Sequence, residues 1–112
     1  MTTDFADNAR HATDAMRALF PETPLLRNAY LYGADIWLKR EDLSPVRSYK
    51  IRGAFNAITK HLALHPDQGQ FVCASAGNHA QGVAFVCRHL GKHGTIFMPV
   101  TTPKQKIAKT QA

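Results

Sequence analysis

From Ser48 to the end of the chain, hydrophobic spacing switches back and forth between the period of a helix and that of a short strand. Ile51, Phe55, Ile58 and Leu62 step by four, three and four, which puts them on one face of a helix from about Ser48 to Leu64. His65-Pro66-Asp67-Gln68-Gly69 reads as a turn, and Gln70 to Ala74 as a short apolar strand. Asn78 to Leu90 is a second helix with Val83, Val86, Cys87 and Leu90 facing inward, stopped by Gly91. Thr95 to Met98 is another strand, and Pro103 suits the first position of a last helix. A strand-helix-strand unit with short apolar strands predicts parallel pairing through a right-handed crossover, hence an α/β fold. Two parallel strands need cover on both faces, so this chain is expected to be part of something larger.

The first third is less regular. Residues 4 to 20 read as a helix, with Phe5, Ala9, Ala12, Met16, Leu19 and Phe20 at helical spacing, Thr3 as a cap, and Pro21 and Pro24 as terminators. Leu25 to Tyr32 suits a short strand or extended segment before a turn at Gly33. Asp35 to Lys39 suits a strand, and Asp42 to Val46, broken by Ser44-Pro45, a loop. At 112 residues the chain is one domain at most, and its 45% apolar content is enough for a core.

The net charge of +6 is uneven: residues 1–35 carry three basic and five acidic side chains, residues 36–112 eleven and three. Such a field suits phosphates, carboxylates or nucleic acid without choosing among them. The basic residues are not interleaved with exposed aromatics, so nucleic acid is not the expected partner. Cys73 and Cys87 lie in apolar runs and are expected to be buried, reduced thiols. The histidines show no paired spacing on one helical face, so no metal is expected. Met1-Thr2-Thr3-Asp4 has neither the basic nor the apolar stretch of an export signal, so none is expected; Asp4, Asp7 and Asp14 argue against a transit peptide, and no run of about twenty apolar residues exists. The protein is expected to be cytoplasmic and not membrane-bound.

Two segments carry chemistry. Arg47-Ser48-Tyr49-Lys50-Ile51-Arg52-Gly53-Ala54 places a lysine just past a serine able to cap a helix, with arginines on both sides. An amine attacks a carbonyl only when neutral, and partial burial or nearby positive charge favours that form; the alternative is an ordinary solvated lysine. Tyr49 either stacks on a flat ligand or packs in the core. Ser75-Ala76-Gly77-Asn78-His79-Ala80-Gln81-Gly82 follows a strand and opens a helix, so free N–H groups and the positive end of the helix dipole meet there. Gly77 permits a sharp turn or a close ligand, Gly82 close packing of helix on sheet, and Asn78 can orient a ring oxygen. An ordinary strand-to-helix turn capped by serine or asparagine has the same pattern. His79 is expected to act through its backbone N–H rather than its ring. The glycine spacing matches neither a dinucleotide fingerprint nor a nucleoside-triphosphate loop.

Lys39-Arg40-Glu41-Asp42-Leu43-Ser44-Pro45-Val46-Arg47-Ser48-Tyr49-Lys50-Ile51-Arg52-Gly53-Ala54, together with residues 75–82, resembles the threonine dehydratases (threonine ammonia-lyases) of the fold-type-II pyridoxal-phosphate family. The likeness runs from Thr23-Pro24-Leu25 through Met98-Pro99-Val100-Thr101-Thr102-Pro103, and Arg-Ser-Tyr-Lys is closer to the biosynthetic, isoleucine-pathway branch than to the catabolic one. It implies a partial tryptophan-synthase-β-like fold with parallel strands and flanking helices. Residues 1–40 would be an arm packing on a large domain, and residues 41–112 an incomplete small domain. The implied reaction is dehydration and deamination of L-threonine to 2-oxobutanoate and ammonia with pyridoxal 5′-phosphate. By position, Lys50 would join the cofactor aldehyde and later remove the α-proton. Asn78 and Tyr49 would contact the cofactor, and Ser75, Gly77, Asn78 and His79 would hold the substrate carboxylate.

Related serine racemases carry a second serine where this chain has Ala76, which favours elimination over racemisation. The family continues into a glycine-rich phosphate loop that is not in this sequence, so the 112-residue chain is expected to be a fragment, inactive alone. The full-length form is expected to be a homo-oligomer. The competing readings are a serine/threonine dehydratase or racemase of the same family, and a non-catalytic binding module.

Overall fold

The structure, a computed structural model, describes residues 4–28 and 33–112. Helix α1 (Phe5–Met16) is followed by strands β1 (Leu25–Asn28) and β2 (Ile36–Lys39), a 3-10 turn over Glu41–Leu43, and helix α2 (Lys50–Leu64). Strand β3 (Gln70–Ala74), helix α3 (Asn78–His89), strand β4 (His93–Phe97) and helix α4 (Lys104–Gln111) complete the order. β3 and β4 pair in parallel, with Val72 opposite Thr95 and Ala74 opposite Phe97. β1 and β2 form a separate antiparallel pair, Leu25 opposite Lys39.

The alternation along β3 sends Phe71 and Cys73 toward the helices, where they meet Ile96 and the buried cluster of Ile51, Phe55, Ile58, Val83, Val86 and Cys87. The other face of the sheet is bare: Val72 and Phe97 are 60% and 62% exposed. Met16 and Phe20 are buried in the same cluster as the α2 face, so the first helix packs on α2. Both thiols are free; Cys87 is buried as expected, whereas Cys73 is only half-buried, and desolvation pushes both above the usual thiol range.

Several boundaries differ from the sequence reading. α1 ends at Met16, not Phe20, because Leu19 and Phe20 both donate backbone N–H groups to Met16 O, a tight turn that swings Phe20 into the core. Asp4 caps α1 by accepting from Ala6 N at 3.1 Å; the expected cap Thr3 lies outside the described residues, as do residues 29–32 of the expected extended segment. β4 starts at His93, since His93 N bonds Gly69 O and extends the ladder backward. Pro103 occupies the N-cap of α4 rather than its first helical position. Gly91 ends α3 in the left-handed region at φ +65°, as its stop role demands. His61 and His65, four apart at the end of α2, are a pair on one helical face that the sequence reading did not find, their rings tilted by 35° with centroids 4.6 Å apart.

Candidate functional site

α2 begins at Lys50 itself. Tyr49 is the N-cap residue and no side chain caps the helix. Ser48, expected to cap it, is instead buried, with its Oγ lacking a hydrogen-bond partner among the described residues. The reason is the loop before it. Ser44 Oγ donates to Ser48 O at 2.8 Å and accepts from Ser48 N at 3.1 Å, pinning the segment from both sides. Arg47, inside that clasp, is held at φ +58°, a region costly for a residue with a Cβ.

Lys50 emerges exposed at the helix start, so partial burial is not what sets it apart within these residues. Its Nζ stands 5.3 Å from the centroid of the Tyr49 ring, which is itself 61% exposed. A shallow cleft of roughly 290 Å³ is lined by Tyr49, Lys50, Arg52, Gly53, Ala54 and His79. The cation two residues on is already engaged. Arg52 forks onto Glu41 (Nε to Oε2 2.7 Å, Nη2 to Oε1 2.8 Å) and donates to Thr23 Oγ1 at 3.1 Å. Its guanidinium lies 5.3 Å from the Phe20 ring centroid. Thr23 Oγ1 in turn donates to Glu41 Oε1, and Lys39 Nζ donates to Thr23 O, each at 2.5 Å. The Arg52 hydrogen bonds hold the Glu41 carboxyl at about 2, far below its ordinary 4.5.

The second segment sits at the carboxyl end of the parallel pair, where open α/β sheets place their ligand sites. Ser75 N donates to Phe97 O at 3.0 Å, anchoring the loop to β4. Its hydroxyl accepts from Gly77 N at 3.2 Å and Ala80 N at 3.3 Å, so Ser75 caps α3 from two residues before the N-cap, Gly77. Asn78 and His79 open the helix, where no carbonyl four residues back is available to their N–H groups. A Cβ on Gly77 would meet nothing within 4 Å, so the space at this helix end is open to a ligand.

Of the residues singled out from sequence, Lys50, Tyr49 and His79 share one cleft. Asn78 faces the neighbouring hollow with Arg47, Gln81, Phe85, Arg88 and Lys109. Ser75 and Gly77 lie behind, shaping the loop. Gly82 was expected to bring α3 onto the sheet; its close approach is to the backbone of Lys50 and Ile51 in α2. The Arg52–Glu41–Thr23 knot escaped the sequence reading because its members are 11 and 29 residues apart. Periodicity carries no such signal.

The family model of pyridoxal-phosphate-dependent enzymes matches residues 17–112. The biosynthetic L-threonine dehydratase of Bacillus subtilis (strain 168) is 56% identical over 92 residues, 80% of this chain and 22% of the relative. Among solved structures, the processed threonine deaminase isoform 2 of Solanum lycopersicum superposes with a TM-score of 0.72 at 33% identity, covering 97% of this chain and 32% of that one. Maize serine racemase superposes with a TM-score of 0.83 at 27% identity, covering 94% and 32%. A parallel α/β unit with an amine at one helix start and a donor loop at another is thus a segment of a fold-type-II enzyme. The chain belongs to the pyridoxal-phosphate-dependent enzyme family, and it spans about a fifth of the length of the Bacillus relative.

The residues present fit that cofactor. Lys50 offers an accessible amine for an aldehyde, the Tyr49 ring lies beside it, and the start of α3 offers donors and open space for an anion.

Proposed function

We propose that the protein carrying this segment is a threonine ammonia-lyase, converting L-threonine to 2-oxobutanoate and ammonia, the step that feeds isoleucine synthesis. The observation that carries the reading is the cleft that Lys50, at the first turn of α2, shares with His79, at the start of α3, in a chain 56% identical to a threonine dehydratase over 92 residues. Bound pyridoxal phosphate supplies an electron sink for the carbanion at the substrate α-carbon.

Lys50 would hold the cofactor through its amine and would take the substrate α-proton on Nζ. The backbone N–H groups of Asn78 and His79, shaped by Ser75 and Gly77 and helped by the α3 dipole, bind the substrate carboxylate. The Asn78 amide would hydrogen-bond the ring oxygen, and Tyr49 would border the ring. In the net reaction the β-hydroxyl would leave as water with a proton returned from Lys50 Nζ, and uptake of one water would give the 2-oxo acid and ammonia. Ala76, where related serine racemases carry a second serine, offers no hydroxyl at that position, which favours elimination over racemisation.

On this reading the substrate-side pocket and the phosphate anchor would come from residues outside this sequence, and the enzyme would be a homo-oligomer. The division into an arm over residues 1–40 and a small-domain portion over residues 41–112 is part of the same proposal. Among the described residues no helix is long and apolar enough to cross a membrane, and a cytoplasmic enzyme is the location consistent with this reading. The test is Lys50→Ala in the complete gene product. Loss of both the yellow absorbance and the release of 2-oxobutanoate is expected; retention of both refutes the assignment.

A further inference from the structure

The amine and the donor loop sit on different helices, so their separation is set by how closely α2 and α3 pack. At their crossing one residue has no side chain. A Cβ placed on Gly82 would lie 3.2 Å from Lys50 C, 3.3 Å from Lys50 O and 3.3 Å from Ile51 N. All three are backbone atoms of the first turn of α2, which cannot swing aside as a flexible side-chain tip does. Nor is that turn free to retreat. Ile51 is fully buried beneath it, and the fork from Arg52 to Glu41 and Thr23 ties it to the N-terminal segment. The contrast lies one turn along α2: a Cβ on Gly53 would meet nothing within 4 Å.

We infer that Gly82 is a positioning residue for Lys50: its bare Cα lets α3 rest against the Lys50 backbone and thereby sets the reach from the amine to the Ser75–His79 loop. This rests on the assignment of Lys50 proposed above. An alanine must open the crossing by a few tenths of an ångström, moving amine and donors apart while leaving the amine itself as accessible as before.

The test compares wild type, Gly82→Ala and Gly69→Ala, a glycine away from the cleft where an added Cβ would also meet nothing within 4 Å, in the cofactor-free complete gene product. Two reagents are scored by peptide mapping of each lysine. With pyridoxal 5′-phosphate, the amine adds to the aldehyde, water leaves, and added borohydride delivers hydride to the resulting carbon–nitrogen double bond. With acetic anhydride, the amine displaces acetate and reports only its own reactivity. The expected result is incorporation of pyridoxal phosphate at Lys50 slowed about tenfold in Gly82→Ala, with acetylation of Lys50 unchanged and Gly69→Ala like wild type.

A fall of less than threefold overturns the inference. So does equal slowing with both reagents, which would mean lost access, or failure of Gly82→Ala to fold, which would make Gly82 a core-packing residue only. If wild-type Lys50 takes up pyridoxal phosphate no faster than Lys60 and Lys92, the functional assignment itself fails. A privileged wild-type Lys50 with an indifferent Gly82→Ala sinks this inference alone.

Discussion

Neutralising Glu41 tests the knot that ties the N-terminal segment to the first turn of α2. Its carboxyl is depressed from 4.5 to about 2, first by the Arg52 hydrogen bonds and then by Thr23 and the nearby cations, against an opposing desolvation. A depression of that size corresponds to at most about 3.4 kcal/mol at neutral pH. The Arg52 and Glu41 side chains are 29% and 21% exposed, so solvent screening brings the contribution to about 2 kcal/mol. Because the folded carboxyl titrates below its ordinary range, this contribution is whole above about pH 5, falls as pH drops below 4.5, and is lost as pH falls through about 2. Glu41→Gln keeps the shape and removes the charge. Urea unfolding of the chain should therefore show a gap between wild type and Glu41→Gln of about 2 kcal/mol at pH 7, equivalent to about 10 °C in melting midpoint. More than half of the gap should vanish by pH 3. A gap of the same size at pH 7 and pH 3 would show that the carboxylate charge is not what holds the knot.

Removing the Ser75 hydroxyl strips the acceptor from Gly77 N and Ala80 N; Ser75→Ala should cost about 1 kcal/mol in urea unfolding, as other helix caps do. An unchanged midpoint would mean those N–H groups are satisfied elsewhere. Burial raises both thiols, with Cys73 adding to the effect on Cys87. At pH 8, iodoacetamide should modify both thiols several-fold more slowly in the folded chain than in urea, and the fully buried Cys87 more slowly than Cys73. Mass mapping of the two cysteines over time checks the order.

Helix and strand identities from Lys50 onward followed from side-chain periodicity, because a residue's face depends only on its place in the local repeat. Ile51, Phe55 and Ile58 had to share a side, and Phe71 and Cys73 had to share the other face from Val72. Element ends were less legible. Whether α1 stops at Met16 or Phe20 depends on where Phe20 finds a core, and that core is built from α2 and α3. At the candidate site, the types of group were readable in the linear order: an amine at one helix start, donors at another.

Their arrangement was not. Ser48 looked like a cap until Ser44 took its backbone, and Gly82 looked like a contact to the sheet until the helix crossing put it against Lys50. Chain order alone therefore specified the elements and the chemical groups they carry, since both arise from neighbours a few positions apart. The three-dimensional packing decided which groups meet, because Thr23, Glu41 and Arg52, like Gly82 and Lys50, come together only when distant parts of the chain bury a common core.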